Sequence, residues 1–461
     1  MRIQFLKYST YCLALLTVIV HGQLFAQEPV DQEPVDQEPI SVTRPEVKYI
    51  DAPVAIKTEV DPILPPPTVV LIPEDDPEFI RRIDTIREYG LAVEQIETVG
   101  GVWDQELVEE LATLGDLQQQ QGSHPEAIAT FNRAIHINRI NSGLYTLEQI
   151  PVVEKMIESH LALGEWEQAD LYYNYLFFVQ QKAFGANDPR IIPILERLAN
   201  WNIQAFNIGY GESLGVRLSS AQILFSAAAR MVGVHFGKGD ERFVSYLHNL
   251  ASSAYLVATN PGLMEELNKP QIRMNQDILR RQLNERSAIP RGFQVGESAL
   301  LDIAQYYDSE SDSVYESAEA LANLGDWYLL FSRRRAAEEK YQQAWNMLSG
   351  REDGEELIQQ LFGQVVPLPA FISNSADNLV AAAVSVKDSM PLEYDYVDIS
   401  FDVTVRGTTR NIQILSEKTE ANSAHLLQLS REVRRTYFRP LIVDGAPVRS
   451  SNNQFRYRYW Y

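Results

Sequence analysis

Apolar residues recur along this chain with two different periods, and the change of period divides it. From residue 78 to 350 the spacing is helical. Leu111, Leu114 and Gly115, followed after Gly122 by Ala127, Phe131 and Ala134, place small and large apolar residues where two antiparallel helices can pack closely. The same register returns at Leu321, Leu324, Gly325 and Tyr328, then Ala337, Tyr341 and Ala344, so Ala337 and Ala344 are expected at a close helix contact. Weaker copies are marked by Gly164, Ala169 and Tyr173, and by Gly209, Ala221, Phe225 and Ala228. Asp188-Pro189 starts a helix, with Asp as cap and Pro at the first helical position. Residues 232–310 keep an apolar face at Phe243, Leu247 and Leu250 until Asn260-Pro261 breaks it, and are expected to continue the same stack. Residues 351–390, with Leu361-Phe362-Gly363 and Pro367-Leu368-Pro369, read as a partly ordered linker.

After residue 391 the period becomes two. Val397, Ile399, Phe401, Val403 and Val405 alternate with polar residues, Arg406-Gly407 turns the chain, and Ile412 to Leu415 returns. Leu426, Leu429, Val433 and Tyr437 then follow a helical period up to Arg439-Pro440, and Asn453 to Tyr461 alternates again. The fold class is thus mainly α, with a small C-terminal α+β domain over 391–461 ordered strand, strand, helix, strand. That domain, with its own apolar face, is expected to fold as a separate body.

The N-terminus adds a compartment. Arg2 and Lys7, the apolar run Tyr11–Val20 and the small residue Ala26 form the layout of a secretory leader over 1–26. Cys12 lies inside that run, so cleavage after Ala26 leaves no cysteine, neither disulfide nor thiolate metal site. Residues 27–77 begin with a repeated Gln-Glu-Pro-Val-Asp and carry Pro65 to Pro67. They read as a disordered acidic tether. With 40 Lys and Arg against 62 Asp and Glu, the net charge of −22 disfavours nucleic acid as a partner.

No arrangement of catalytic residues stands out. The seven histidines are scattered without ligand spacing, so no metal or cofactor is expected. Phe236-Gly237-Lys238-Gly239 lacks the spacing of a phosphate loop and reads as a turn. Adjacent carboxylates such as Glu109-Glu110 and Glu338-Glu339 point apart on a helix.

The two good helical registers resemble the tetratricopeptide repeat, although Ala127 to Ala169 exceeds its period of about 34 residues. The resemblance implies a concave groove lined by Glu109, Ala112, Asp116 and Gln119, and by Glu319, Ala322, Asp326 and Leu329. The C-terminal order, with Phe438-Arg439-Pro440 and Gly445-Ala446-Pro447-Val448, resembles the C-terminal domain of the TonB family. That resemblance implies a terminal strand that accepts an added strand, with Phe455, Tyr457 and Tyr459 on one face and Arg456 and Arg458 on the other. The expectation is a non-enzymatic periplasmic protein of a Gram-negative envelope. It would bind other envelope proteins or extended peptide segments, touch the membrane only indirectly, and be linked to outer-membrane transport. One alternative is a TonB-type energy transducer held in the inner membrane by an uncleaved N-terminus, but that family's Ser-x-x-x-His is missing: Ser9 and His21 lie too far apart. Another is an enzyme whose site is assembled from residues 232–310.

Overall fold

The computed structural model describes residues 49–50, 54–55, 77–285, 292–309, 314–371, 394–416 and 423–460. The expected leader, most of the acidic tether and residues 372–390 of the expected linker lie outside them. Helices run α1 (Pro77–Gly100), α2 (Leu107–Gln120), α3 (His124–Ser142), α4 (Ile150–Ala162), α5 (Trp166–Phe184), α6 (Ile192–Asn207), α7 (Leu214–His235) and α8 (Glu241–Thr259). There follow α9 (Pro270–Gln282), α10 (Gly292–Ser309), α11 (Val314–Leu330), α12 (Arg334–Ser349) and α13 (Gly354–Phe362). Each helix from α1 to α8 packs on the next, and α10 to α13 do the same. The stack skips α9: α8 packs directly on α10, and α9 lies against α7. Residues 232–310 therefore carry an excursion as well as a continuation of the stack. Among the described residues no helix is long and apolar enough to cross a membrane.

Local chemistry accounts for the breaks. Asp188 and Asp240 each accept the backbone N–H two residues on, capping the 3-10 turn before α6 and the start of α8. Gly237, at φ +91°, gives the turn between α7 and α8 a conformation that other residues rarely adopt. Ala337 is 1% exposed and Ala344 is wholly buried, both within the α11–α12 contact.

The C-terminal part is strand-rich: β4 (Tyr394–Val403), β5 (Thr409–Ile414), α14 (Ser423–Arg435), β6 (Phe438–Arg439), β7 (Leu441–Val443), β8 (Ala446–Val448) and β9 (Ser450–Trp460). β9 pairs antiparallel with β4 over nearly its whole length, and β4 with β5. Val397, Ile399, Phe401 and Val403 face Leu426, Leu429 and Val433 of α14 in one buried cluster, which gives the period-two and helical patterns their physical reason.

One expectation is corrected. The tether is not wholly unstructured: β1 (Tyr49–Ile50) and β2 (Val54–Ala55) both pair antiparallel with β9. The linker region holds α13 and β3 (Val366–Pro367), which pairs with β6, and Phe371 is fully buried. Helices and terminal sheet belong to one compact unit. Ile442 and Tyr437, from the C-terminal part, pack into the helical core.

Candidate recognition sites

The helical positions singled out as a groove have different fates. Glu109, in the first turn of α2, is exposed. Asp116 Oδ2 accepts from Gln120 Nε2 at 2.7 Å, and its Oδ1 lies 3.3 Å from Lys155 Nζ on α4. Gln119 Nε2 donates to Lys155 O at 2.7 Å and to Ser159 Oγ at 3.0 Å, so this face of α2 is turned toward α4. Ala112 is half-buried.

At the other end of the stack the corresponding face is closed. Asp326 is completely buried. Its carboxylate accepts from Arg439 Nε at 2.9 and 3.1 Å, from Arg439 Nη2 at 2.5 Å, and from the Tyr341 hydroxyl at 2.8 Å. Arg439 Nη2 also donates to Asn323 Oδ1 at 3.0 Å, and Nη1 to the carbonyl of Leu361 at 3.4 Å. Burial disfavours the Arg439 cation, but the adjacent Asp326 carboxylate outweighs it and holds its pKa above the ordinary arginine value. Burial likewise pushes the Tyr341 hydroxyl well up, with Asp326 adding to the shift. Half-buried Glu319 adds negative charge near Arg439. Leu329, 4% exposed, meets the β4–β5 turn, since a Cβ added to Gly407 would sit 3.1 Å from its methyl. Asp326 and Leu329 are therefore not open to a partner. The strand-rich part fills the place expected for one, through Arg439 of β6 and the turn at Gly407.

The terminal strand alternates as expected, but its apolar face is core. Phe455, Tyr457 and Tyr459 are 2%, 5% and 0% exposed and join the cluster around α14. Their side chains are unavailable to a partner because they hold the sheet to its helix. The Tyr457 hydroxyl has no hydrogen-bond partner among the described residues, and burial pushes its pKa up. On the other face Arg456 grips Asp398 of β4 with two bonds of 2.7 Å, and Arg458 lies 5.6 Å over the Trp460 ring.

Nor is the outer edge of β9 free along its length. Tyr49 and Ile50 pair with Trp460 and Tyr459, while Val54 and Ala55 pair with Arg456 and Phe455. Beyond Ala55 the edge opens on a cleft of about 720 Å³ between β9 and α13. Gln359, Gln360 and Gln364 line one wall, with Asn452, Asn453 and Gln454 on the other. Some of these carboxamides serve the fold: Asn453 Nδ2 donates to Phe401 O and Ser450 Oγ, each at 3.0 Å, and Asn452 Oδ1 accepts from Ser400 Oγ at 2.7 Å. Gln364 Oε1 is buried and without a partner among the described residues.

Sequence reasoning missed Arg439 as the centre of a buried network and missed the strand-forming residues 49–50 and 54–55. The first had a signal in Phe438-Arg439-Pro440, a charged residue set between an aromatic and a proline. The second had only Tyr49, the first aromatic of the acidic segment. Among the described residues no group of three or more His, Cys, Asp or Glu is placed to hold a metal ion.

No family model and no curated protein matches the sequence. Among solved structures, the chain is similar to the crystal structure of BtubC (BKLC) from P. vanneervenii, with 13% sequence identity, coverage of 60% of this chain and 92% of that chain, and a TM-score of 0.34.

Proposed function

We propose that this chain is a non-enzymatic recognition protein of a bacterial envelope, exported to the periplasm. It joins a tetratricopeptide-like helical stack to a TonB-like sheet that captures an extended segment of another envelope protein by strand addition. The observation that carries the proposal is the outer edge of β9, where two short extended segments pair in antiparallel register. Backbone pairing at an edge gives affinity with little demand on side-chain sequence. The carboxamides of the adjoining cleft offer donors and acceptors suited to a peptide backbone without selecting for charge. The leader-like N-terminus supports export, and the apolar register of the helical pairs supports the repeat.

Because β1 and β2 occupy the edge, they compete with any incoming segment. A tethered strand competes at an effective concentration of up to about millimolar, so its removal is expected to strengthen capture at least about tenfold. The test compares chains beginning at Gln27 and at Asp61, titrated with a fluorescent peptide spanning Tyr49 to Ala55 and read by anisotropy. The shorter chain should bind the peptide and the longer one bind it at least tenfold more weakly. Equal binding by two folded chains, or none by the shorter, rules out strand addition at this edge.

A further inference from the structure

The α11–α12 turn and the β4–β5 turn meet at a cleft of about 330 Å³, within the range of about 300 to 1,000 Å³ typical of ligand sites. It shares no residue with the cleft beside β9. Arg334 enters it from the helices, and Arg406 and Arg410 enter it from the sheet. Among the described residues no carboxylate lines it, whereas Glu356 lines the cleft beside β9. In a chain of net charge −22, where carboxylates are plentiful, all three guanidinium groups stay without an ion-pair or hydrogen-bond partner among the described residues.

Neighbouring residues are used by the fold, and these three are not. Arg333, next to Arg334, stacks 3.9 Å over the Phe293 ring, with Glu297 at 3.9 Å. Asp402, the cross-strand partner of Arg410, is engaged instead by Arg449 Nη2 and Asn411 Nδ2, each at 2.7 Å. Arg334 is also the first residue of α12, whose first turn carries no acidic residue and whose dipole disfavours a cation there. The fold therefore brings like charges together without offsetting their repulsion.

Ser332, on the same rim, departs from the rest of the stack. The turns after α2, α4 and α6 each close on a glycine of positive φ, Gly122 at +82°, Gly164 at +70° and Gly209 at +73°, whose N–H bonds to the carbonyl three residues back. Ser332 holds the same place with the same bond, to Leu329 O at 3.0 Å, at φ +61°. A side chain is strained there, and the Ser332 hydroxyl has no partner among the described residues. On the sheet side the backbone is fixed: Phe438 N donates to Gly407 O at 2.8 Å and Thr404 N to Thr408 O at 3.0 Å, so Arg406 and Arg410 stand on an anchored turn.

We propose that this cleft binds a phosphomonoester. Its three terminal oxygens and nearly two negative charges suit three guanidinium forks and a hydroxyl donor, whereas a carboxylate offers one charge and two oxygens. The group is common to soluble phosphorylated compounds and to lipid headgroups. Arg334, Arg406 and Arg410 are all exposed, so either source can reach them.

Calorimetric titration of the full chain with glycerol 3-phosphate, dimethyl phosphate and acetate at constant ionic strength tests this. The monoester should bind saturably, and the diester and acetate at least about tenfold more weakly. Flotation with phosphatidylcholine vesicles containing either phosphatidic acid or phosphatidylglycerol assigns the source. Selective retention by phosphatidic acid identifies a lipid headgroup, and binding of glycerol 3-phosphate alone identifies a soluble compound. Arg406→Gln with Arg410→Gln should weaken monoester binding at least about tenfold. Arg81→Gln with Arg273→Gln, an equal loss of charge at exposed positions of α1 and α9, should leave it unchanged. Ser332→Gly should raise Tm and yet weaken binding, a split that a purely structural serine would not produce. Thermal melts confirm that each variant is folded. The proposal is overturned if neither glycerol 3-phosphate nor phosphatidic acid vesicles bind, or if the diesters bind as tightly as the monoesters. It is overturned equally if the Arg406 and Arg410 double variant binds no more weakly than the Arg81 and Arg273 one.

Discussion

The α2–α3 and α11–α12 pairs are built on one register, yet they end in different surroundings. In the first, Ala127, Phe131 and Ala134 are buried against α2. In the second, Ala337, Tyr341 and Ala344 are buried against α11. Each pair closes over a glycine. A Cβ on Gly115 would lie 2.4 Å from the Phe131 ring, and one on Gly325 would lie 2.6 Å from the Tyr341 ring. The residue after each glycine is aspartate. Asp116 stays about a third exposed beside Lys155, whereas Asp326 is fully buried between Tyr341 and Arg439. The apolar register specifies the pairing of helices, and what packs on their outer face decides its fate. Asp116 on α2 meets Lys155 of another helix, α4, whereas Asp326 on α11 meets Arg439 of β6 in the strand-rich part.

The largest test of this contrast is Asp326→Ala. It leaves the Arg439 cation buried and unpaired, which is expected to cost about 3 to 5 kcal/mol in urea unfolding. The joint change Asp326→Leu with Arg439→Met should recover most of that loss, because it removes both charges. If Asp326→Ala costs no more than Asp116→Ala, the two faces are energetically alike and the contrast fails.

A smaller effect is expected at the glycines. Gly115→Ala and Gly325→Ala each force a ring to shift, at about 1 to 3 kcal/mol. Gly325→Ala should be the more harmful, because the Tyr341 ring is also fixed through its hydroxyl to Asp326, while Phe131 carries no such tie. Thermal melts of both variants decide the order, and the reverse order would show that the hydroxyl does not anchor the ring.

The smallest effect belongs to Asp116→Asn. Its partner Lys155 is 45% exposed, so the change should cost less than about 1 kcal/mol, and the difference from wild type should shrink as salt is raised. A loss as large as that of Asp326→Ala would mean that half-exposed pairs hold this stack together.

What the sequence made legible was local. Leu426, Leu429 and Val433 predict α14 because neighbours on one helix face are set by spacing alone, and Val397 to Val403 predict β4 for the corresponding reason. What it hid was distant. Arg439 and Asp326 are 113 residues apart, and no periodicity links them. Their union is why the strand-rich part, expected to be a separate body, shares a buried charge network with the helices. For the candidate sites, the alternation along β9 was legible, but which face would be core depended on α14, and the occupation of its edge on β1 and β2. Two-residue strands such as β1 and β2 fall below any pattern that alternation can reveal.

The pairing of Tyr49 with Trp460 also sets an order of events in biosynthesis. Roughly 400 residues separate these partners, so at about 5 to 20 residues per second β9 is made some 20 to 80 s after the segments that pair with its edge. During that interval β1 and β2 have no sheet to join, and closing so long a loop gives them no early advantage. Their ordering therefore reports that synthesis has reached Trp460, and a nascent chain cut short before β9 leaves β1 and β2 without their partner strand.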